Sequence, residues 1–421
     1  MANLEVNFCG VRIKNPLVAA SAEPTLNANN MKKCIDTGVG GVIAKTMTDS
    51  PEMRELTTRA KWRFLNQRHE VCHGKVPRGF SLYSRSGLAI EPPEDFVNEI
   101  KETLKYANDN GAVVIGSIGS IELDGWVTLG KQMEDAGVPL IELNFGCPHP
   151  KLMPGVRTGM NVGQDFDYAC EITQAVAEAL TVPIMIKVTP QVTDLVAFSG
   201  SLKDAGAAAV TLTNRFIGFV PDIETGKPLI YGQAGVGGPW TKPLTLRWIN
   251  EVRKAYGGEI FIAGTNGAYD WRDIVMFVMS GAHIVEMCSA VMCYGYSWLK
   301  KQVEGLENFM DEKGYKTIDA MLGIASDAAM AYCDMPAEKA QVIEEHCINC
   351  KMCLKACFAD AMQDGENHTR VNTENCIGCG GCYSVCPAEG AIEIRVVSES
   401  ESCEPMVQQQ SKLKPPGTKM V

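Results

Sequence analysis

The sequence predicts an α/β fold, a parallel sheet closed into a barrel and followed by a second, smaller domain, on three observations. Eight short apolar runs recur before about residue 310, separated by longer stretches of helical periodicity. Several runs follow a helix ending that carries a glycine, as in "DTGVGG", "EDAGVP", "KDAGAA" and "MSGAHI". Finally, eight of the 17 cysteines crowd between Cys347 and Cys386, and 421 residues exceed the usual size of one domain.

In chain order, "EVNFCGVRIKNP" predicts a small hairpin at the barrel floor. The runs are "PLVAASA" (16–22), "GGVIAKT" (40–46), "VVIGSIG" (113–119), "LIELNFG" (140–146), "PIMIKVT" (183–189), "AAVTLTN" (208–214), "EIFIAGT" (259–265) and "IVEMCSA" (284–290). Near-continuous apolar strands alternating with helices imply a sheet buried on both faces. Eight such units close into a (β/α)8 TIM barrel, the alternative being an open doubly wound sheet. Long insertions at 47–112 and 215–258 follow strands two and six, on the face where barrels carry their sites, and are expected to cover a ligand. Residues 300–345 read as helical. The expected domains are a barrel at 1–310, a helical linker at 311–340, a cysteine-rich domain at 341–395 and a polar tail at 396–421.

Hydrophobic content of 46% and charged content of 21% are those of an ordinary globular chain. A net charge of −11 argues against nucleic acid or an anionic membrane as partner. No run approaches the roughly 18–20 apolar residues of a membrane span, and "MANLEVNFCG" shows no export signal, so the expected location is the cytoplasm. Cysteines there read as metal or redox chemistry rather than disulfides.

Their spacing is specific. "CINCKMCLKAC" places Cys347, Cys350, Cys353 and Cys357, and "CIGCGGCYSVCP" places Cys376, Cys379, Cys382 and Cys386. In such paired runs three thiolates hold one cubane and the fourth reaches the other. Cys347, Cys350, Cys353 and Cys386 are therefore assigned to one [4Fe-4S] cluster, and Cys376, Cys379, Cys382 and Cys357 to a second, in a two-[4Fe-4S] ferredoxin-like domain. Structural zinc, which also uses paired cysteines, is the alternative. Phe358 stands where Pro is usual after the first run.

One-electron carriers need a terminus that turns single electrons into organic chemistry, and a flavin does this. Strand seven ends in "AGTNGA" and strand eight in "CSA", Gly-rich or small turns of the kind that hold phosphate in barrels. Lys45 and Lys187 end strands two and five, where a cation offsets an anionic reduced ring. Asn144 and Asn214 end strands four and six and can bond a planar heterocycle. Each has a duller reading, a solvated lysine or a plain turn.

"NFGCPH" resembles the NxSCPN/NxSCPH loop of the dihydroorotate and dihydropyrimidine dehydrogenase family, and the resemblance extends through "AKT", "IKVTP", "TN", "GVGG" and "CSA" over residues 1–395. With the two-cluster domain at the C-terminus, the chain is most similar to the FMN-containing subunits of bacterial NAD-dependent dihydropyrimidine dehydrogenases. The resemblance implies FMN contacts from Ala20, Ser21, Lys45, Thr46, Asn144, Lys187, Asn214, Gly238, Thr265, Asn266, Gly267, Cys288 and Ser289. Asn266 stands where the family usually has Gly, and Asn tolerates a left-handed turn. Cys147 falls on the family's acid/base cysteine, which exchanges a proton with one ring carbon while the flavin exchanges a hydride with its neighbour. An ordinary thiol pKa of about 8.5 puts both protonation states within reach. His149 tunes the thiol, contacts substrate or is merely structural.

Three positions depart from a pyrimidine reductase. Leu82 in "RGFSLYS" stands where the family presents a ring-binding Asn, Gly146 replaces a Ser, and Arg215 replaces a Thr or Ser. Lost polar partners cost about 1–3 kcal/mol each, so uracil is expected to bind poorly. Arg215 adds a fork suited to a carboxylate or phosphate, or pairs with a nearby acid. The expected function is reduction, or reverse oxidation, of a C=C bond in a small substrate with an anionic group. Dihydropyrimidine or dihydroorotate chemistry is the runner-up, and an electron-transfer subunit without its own substrate is an alternative of another class. No second nucleotide-binding signature is visible, so a flavoprotein subunit using FAD and NAD(P)H, or a ferredoxin, is the expected electron partner, in an oligomeric assembly.

Overall fold

The computed structural model describes residues 2–153 and 155–397, so the expected tail at 396–421 lies almost wholly outside the described residues. The chain divides into two compact units, Met1–Ala328 and Ala329–Val421. The division falls within the stretch expected as a linker.

All eight apolar runs are strands of one closed parallel barrel: β1 (Leu17–Ala19), β2 (Gly41–Ile43), β3 (Val113–Ile118), β4 (Ile141–Phe145), β5 (Ile184–Val188), β6 (Ala209–Leu212), β7 (Phe261–Gly264) and β8 (Ile284–Met287). Each pairs with the next, and β8 returns to β1 through Val285 opposite Leu17. Every residue of β4, β5, β6 and β8 is buried, because helices cover one face and barrel side chains the other. Two helices, Leu123–Ala136 and Trp271–Ser280, end in left-handed Gly137 and Gly281, the stop that "EDAGVP" and "MSGAHI" announce. The N-terminal hairpin pairs Val6–Phe8 with Val11–Ile13. Its Phe8 packs edge-on at 5.6 Å against Phe261, which opens β7, so the hairpin closes the floor.

The opposite face is roofed by an arrangement that local pattern does not announce. The two insertions pair with each other in a four-stranded antiparallel sheet, in the order Phe216–Gly218, Ala234–Gly237, Ser81–Arg85 and Lys61–Leu65. Leu65, Tyr83, Ile230 and Ala234 form its own small core. Below it, Trp126 meets Phe145 edge-on at 5.2 Å. That contact, worth about 0.5–1.5 kcal/mol beyond area burial, fixes the end of β4 from which the "GCPH" loop departs.

In the second unit, Glu338–Val342 pairs antiparallel with Ile392–Val396, and Met362–Gln363 with Arg370–Val371. Part of the stretch read as helical is thus a strand, whose partner lies some fifty residues on. Ala340, Ala361, Met362 and Ile392 are joined in the core by Cys353, Cys376 and Cys382. So small an apolar core needs a staple, and the cysteines are where it would be placed. Among the described residues no helix is long and apolar enough to cross a membrane.

Candidate active site

The C-terminal ends of the strands and the roof sheet border a cavity with about 850 Å³ of empty space, part of it open to solvent. Every barrel residue expected to contact cofactor or substrate lines it, whereas Gly146 does not. Ala20 and Ser21 follow β1, Lys45 and Thr46 follow β2, and Asn144, Cys147 and His149 come from the end of β4. Lys187 lies in β5, and Asn214 and Arg215 follow β6. Thr265, Asn266 and Gly267 follow β7, Cys288 and Ser289 follow β8, and the roof adds Leu82 and Gly238.

Asn144 builds the cysteine loop. Its Oδ1 accepts the backbone N–H groups of Gly146 at 3.3 Å and Cys147 at 3.0 Å, while its Nδ2 donates to Thr46 Oγ1 at 3.0 Å. Asn144 therefore serves the loop before it serves a ligand. A Cβ at Gly146 would lie 2.5 Å from Asn214 Cβ and 2.8 Å from the Val188 carbonyl, so packing here has no room for the family's Ser.

The sulfur of Cys147 lies 3.6 Å from His149 Nδ1, and His149 Nε2 lies 3.0 Å from the Ser84 carbonyl and 3.3 Å from the Ser86 amide. Burial pushes His149 down to about 3, with the charge of Arg215 adding to it, so the imidazole is neutral. Burial pushes the Cys147 thiol up, against the pull of the His149 backbone, Arg215 and Lys45. The sequence allows the thiol either protonation state; the structure favours the one that holds a proton. Cys288 is a second thiol in the wall, raised to about 12 by burial.

Neither lysine stands alone. Lys187 Nζ lies 2.5 Å from Glu286 and 3.5 Å from Glu142, both fully buried. Burial disfavours the Lys187 ammonium, but the two carboxylates outweigh it and hold it charged. Burial raises Glu142 against that same ammonium, since one cation cannot satisfy two acids. Lys45 Nζ lies 3.2 Å from Glu23 Oε1, which also accepts Ser86 Oγ at 2.5 Å. Burial opposes ionisation of Glu23, yet Lys45, Ser86 and Arg215 together bring it down to about 2. Glu23, Glu142, Glu286 and Ser86 are site residues that sequence reasoning missed; "SAEPT" reads as a helix start and gives no sign of an acid aimed into the barrel.

Arg215 donates to the Ser84 hydroxyl and lies across the roof glycines: a Cβ at Gly235 would be 3.0 Å from its Cζ, and one at Gly237 3.1 Å from its Cγ. Among the described residues it makes no ion pair with an acid, and it lines the cavity. Asn266 has φ +60°, the left-handed turn expected of it, and its Nδ2 donates to the Asn214 carbonyl at 2.9 Å, tying the end of β7 to that of β6.

The donor set fits a polar, phosphate-bearing heterocycle. Two residues of the cavity wall, Thr213 and Glu286, each keep a buried oxygen, Oγ1 and Oε1, that has no hydrogen-bond partner in the protein. At the Gly-rich rim, a Cβ on Gly267 would meet the Lys242 backbone at 2.7 Å, so only glycine brings the chain this close. In the second unit, Cys347, Cys350, Cys353 and Cys386 line one cavity of about 300 Å³. Cys357, Cys376, Cys379 and Cys382 line another of about 330 Å³. Among the described residues no group of three acids, cysteines or histidines is placed to hold a single metal ion.

Residues 3–310 match the family model described as dihydroorotate dehydrogenase, and residues 340–394 that of a 4Fe-4S dicluster domain. The chain is 30% identical over 328 residues to the catalytic subunit of dihydroorotate dehydrogenase B (NAD(+)) from Methanothermobacter thermautotrophicus, covering 77% of this chain and 99% of the relative. It is 28% identical over 385 residues to the NAD-dependent dihydropyrimidine dehydrogenase subunit PreA of Escherichia coli (strain K12), covering 88% and 89%. With its strand-end barrel site and its cysteine-lined second unit, the chain belongs to the dihydroorotate dehydrogenase family, oxidoreductases acting on CH–CH groups, and carries a 4Fe-4S dicluster domain.

Proposed function

We propose that this chain, with FMN in the barrel cavity and two [4Fe-4S] clusters in the C-terminal unit, interconverts a C=C bond and its CH–CH form in a small anionic substrate. When bound, FMN supplies hydride exchange with one carbon and the clusters supply one-electron traffic with a partner. The observation that carries the reading is Cys147: a buried thiol, kept protonated, in the same cavity as the strand-end residues expected to hold the flavin.

The chain's own residues divide the work. Ala20, Ser21, Lys45, Thr46, Lys187 and Asn214 would border the ring, and Gly238, Thr265, Asn266, Gly267, Cys288 and Ser289 the phosphate end. Each cysteine quartet would hold one cluster. Cys147 Sγ gives its proton to the substrate carbon in reduction and takes it back in oxidation. His149, uncharged, accepts or returns hydrogen-bonding without competing for the proton. Arg215 anchors the anionic group and Leu82 offers an apolar surface where an uncharged ring would want a polar one.

Among the relatives, those named for dihydroorotate act on a carboxylate-bearing ring, which the guanidinium favours. The dihydropyrimidine dehydrogenase subunit is matched over a stretch long enough to span both units, which favours uracil or thymine as the second reading. Electrons would come from a flavoprotein subunit carrying FAD and using NAD(P)H, or from a ferredoxin. The test is reoxidation of the chemically reduced holoprotein by orotate and by uracil. Orotate should react at least about tenfold faster, the value of one lost charge-assisted contact. Uracil reacting as fast would contradict the anionic substrate, and a preparation without flavin would contradict the whole reading.

A further inference from the structure

Leu82, Ser84 and Ser86 alternate along the roof strand Ser81–Arg85 and its continuation, roughly 7 Å from one to the next. Leu82 and Ser86 line the cavity directly, and each serine carries a charge into it. The Ser84 hydroxyl accepts from the Arg215 guanidinium. The Ser86 hydroxyl donates to Glu23 Oε1 at 2.5 Å. One strand edge thus displays an apolar, a cationic and an anionic position in order. Cys147 sits within the field of both charges.

Glu23 is more than a counter-ion for Lys45. The Lys45 ammonium and the Ser86 hydroxyl both bond Oε1, the Glu23 backbone N–H also bonds the carboxylate, and Glu23 lines the cavity with its side chain 21% exposed. An ionised carboxylate only accepts hydrogen bonds, so a ligand group facing it from the cavity must donate one. Resting on the proposed function above, we propose that Glu23 determines specificity and that the substrate is dipolar: an anionic group lies on Arg215 and a nitrogen-borne hydrogen-bond donor, ammonium or neutral N–H, lies on Glu23. A substrate presenting only acceptors would satisfy Arg215 but be repelled by the Glu23 carboxylate.

Glu23→Gln keeps the shape and the Ser86 contact while removing the charge. Binding to the oxidised holoprotein is read as perturbation of flavin absorbance by three probes: crotonate, with a carboxylate alone; trans-4-aminocrotonate, with an ammonium as well; and orotate, with a carboxylate and neutral N–H groups. At equal flavin content, Glu23→Gln should weaken 4-aminocrotonate, orotate or both by about tenfold or more and leave crotonate unchanged or tighter. Loss for 4-aminocrotonate alone assigns the ammonium, and loss for orotate alone the neutral N–H. Ser86→Ala, which unseats the carboxylate without removing it, should produce a smaller loss for the same probe. Equal weakening of all three probes, no weakening of any, or no binding of any to the unaltered protein would overturn the proposal. Arg215→Gln separates the underlying reading: it should weaken crotonate, and if crotonate is indifferent to it the anion site fails while the Glu23 comparison still stands on its own result.

Discussion

Burial raises the Cys147 thiol, and this gives the acid a working range. A proton donor is competent below its pKa, so reduction should stay level through neutral pH and fall only as pH climbs past the ordinary thiol range near about 8.5. A kcat/KM profile for reduction that already declines well below that range would show a depressed thiol. At the neighbouring position, Gly146→Ser should not restore a pyrimidine site. Its Cβ would sit 2.5 Å from Asn214 Cβ, and overpacking of this kind costs about 1–3 kcal/mol, visible as earlier unfolding and lower flavin retention. Cys147, Lys45, Lys187 and Arg215 were legible in the sequence because each follows or ends an apolar run, where a polar side chain needs a reason. Glu142 and Glu286 were not. Each reads as an isolated acid within a strand, and only closure of the barrel brings both to Lys187.

The barrel strands were legible as elements because each is a continuous apolar run, and a strand buried on both faces can be little else. The roof sheet was not, since its pairing joins Leu82 to Gly237 and Ser84 to Gly235 across more than a hundred residues, where no local period operates. Its glycines have a function there. Gly235 opens the trough in which Arg215 lies, so Gly235→Ala should push the guanidinium aside while the strand itself still pairs. Steady-state kinetics should then show KM for an anionic substrate rising several-fold with kcat little changed. An equal fall in kcat at constant KM would place Arg215 in the transition state instead. Glu338–Val342 shows the same limit from the other side: a mixed, charged run of five residues becomes a strand because Ile392–Val396 pairs with it.

At the scale of the whole chain, the spacing of the cysteines carried more than any other pattern, because a cubane demands it, and the cavities gather the quartets as that spacing implies. The crossing of Cys357 and Cys386 is open to a direct test by iron content. Cys350→Ser combined with Cys386→Ser strikes one cavity and should leave about half of the iron. Cys379→Ser combined with Cys386→Ser strikes both and should remove nearly all of it. The reverse result would mean that each cluster is held by its own consecutive run. The most direct measurement on the chain as an enzyme is stopped-flow reoxidation of the chemically reduced holoprotein by its acceptor, for the unaltered protein and for Cys147→Ala at equal flavin and iron content. Loss of the proton donor should slow flavin reoxidation by about a hundredfold or more while electron exchange with a ferredoxin is unchanged; reoxidation by the acceptor at the same rate in both would show that Cys147 is no part of the reaction.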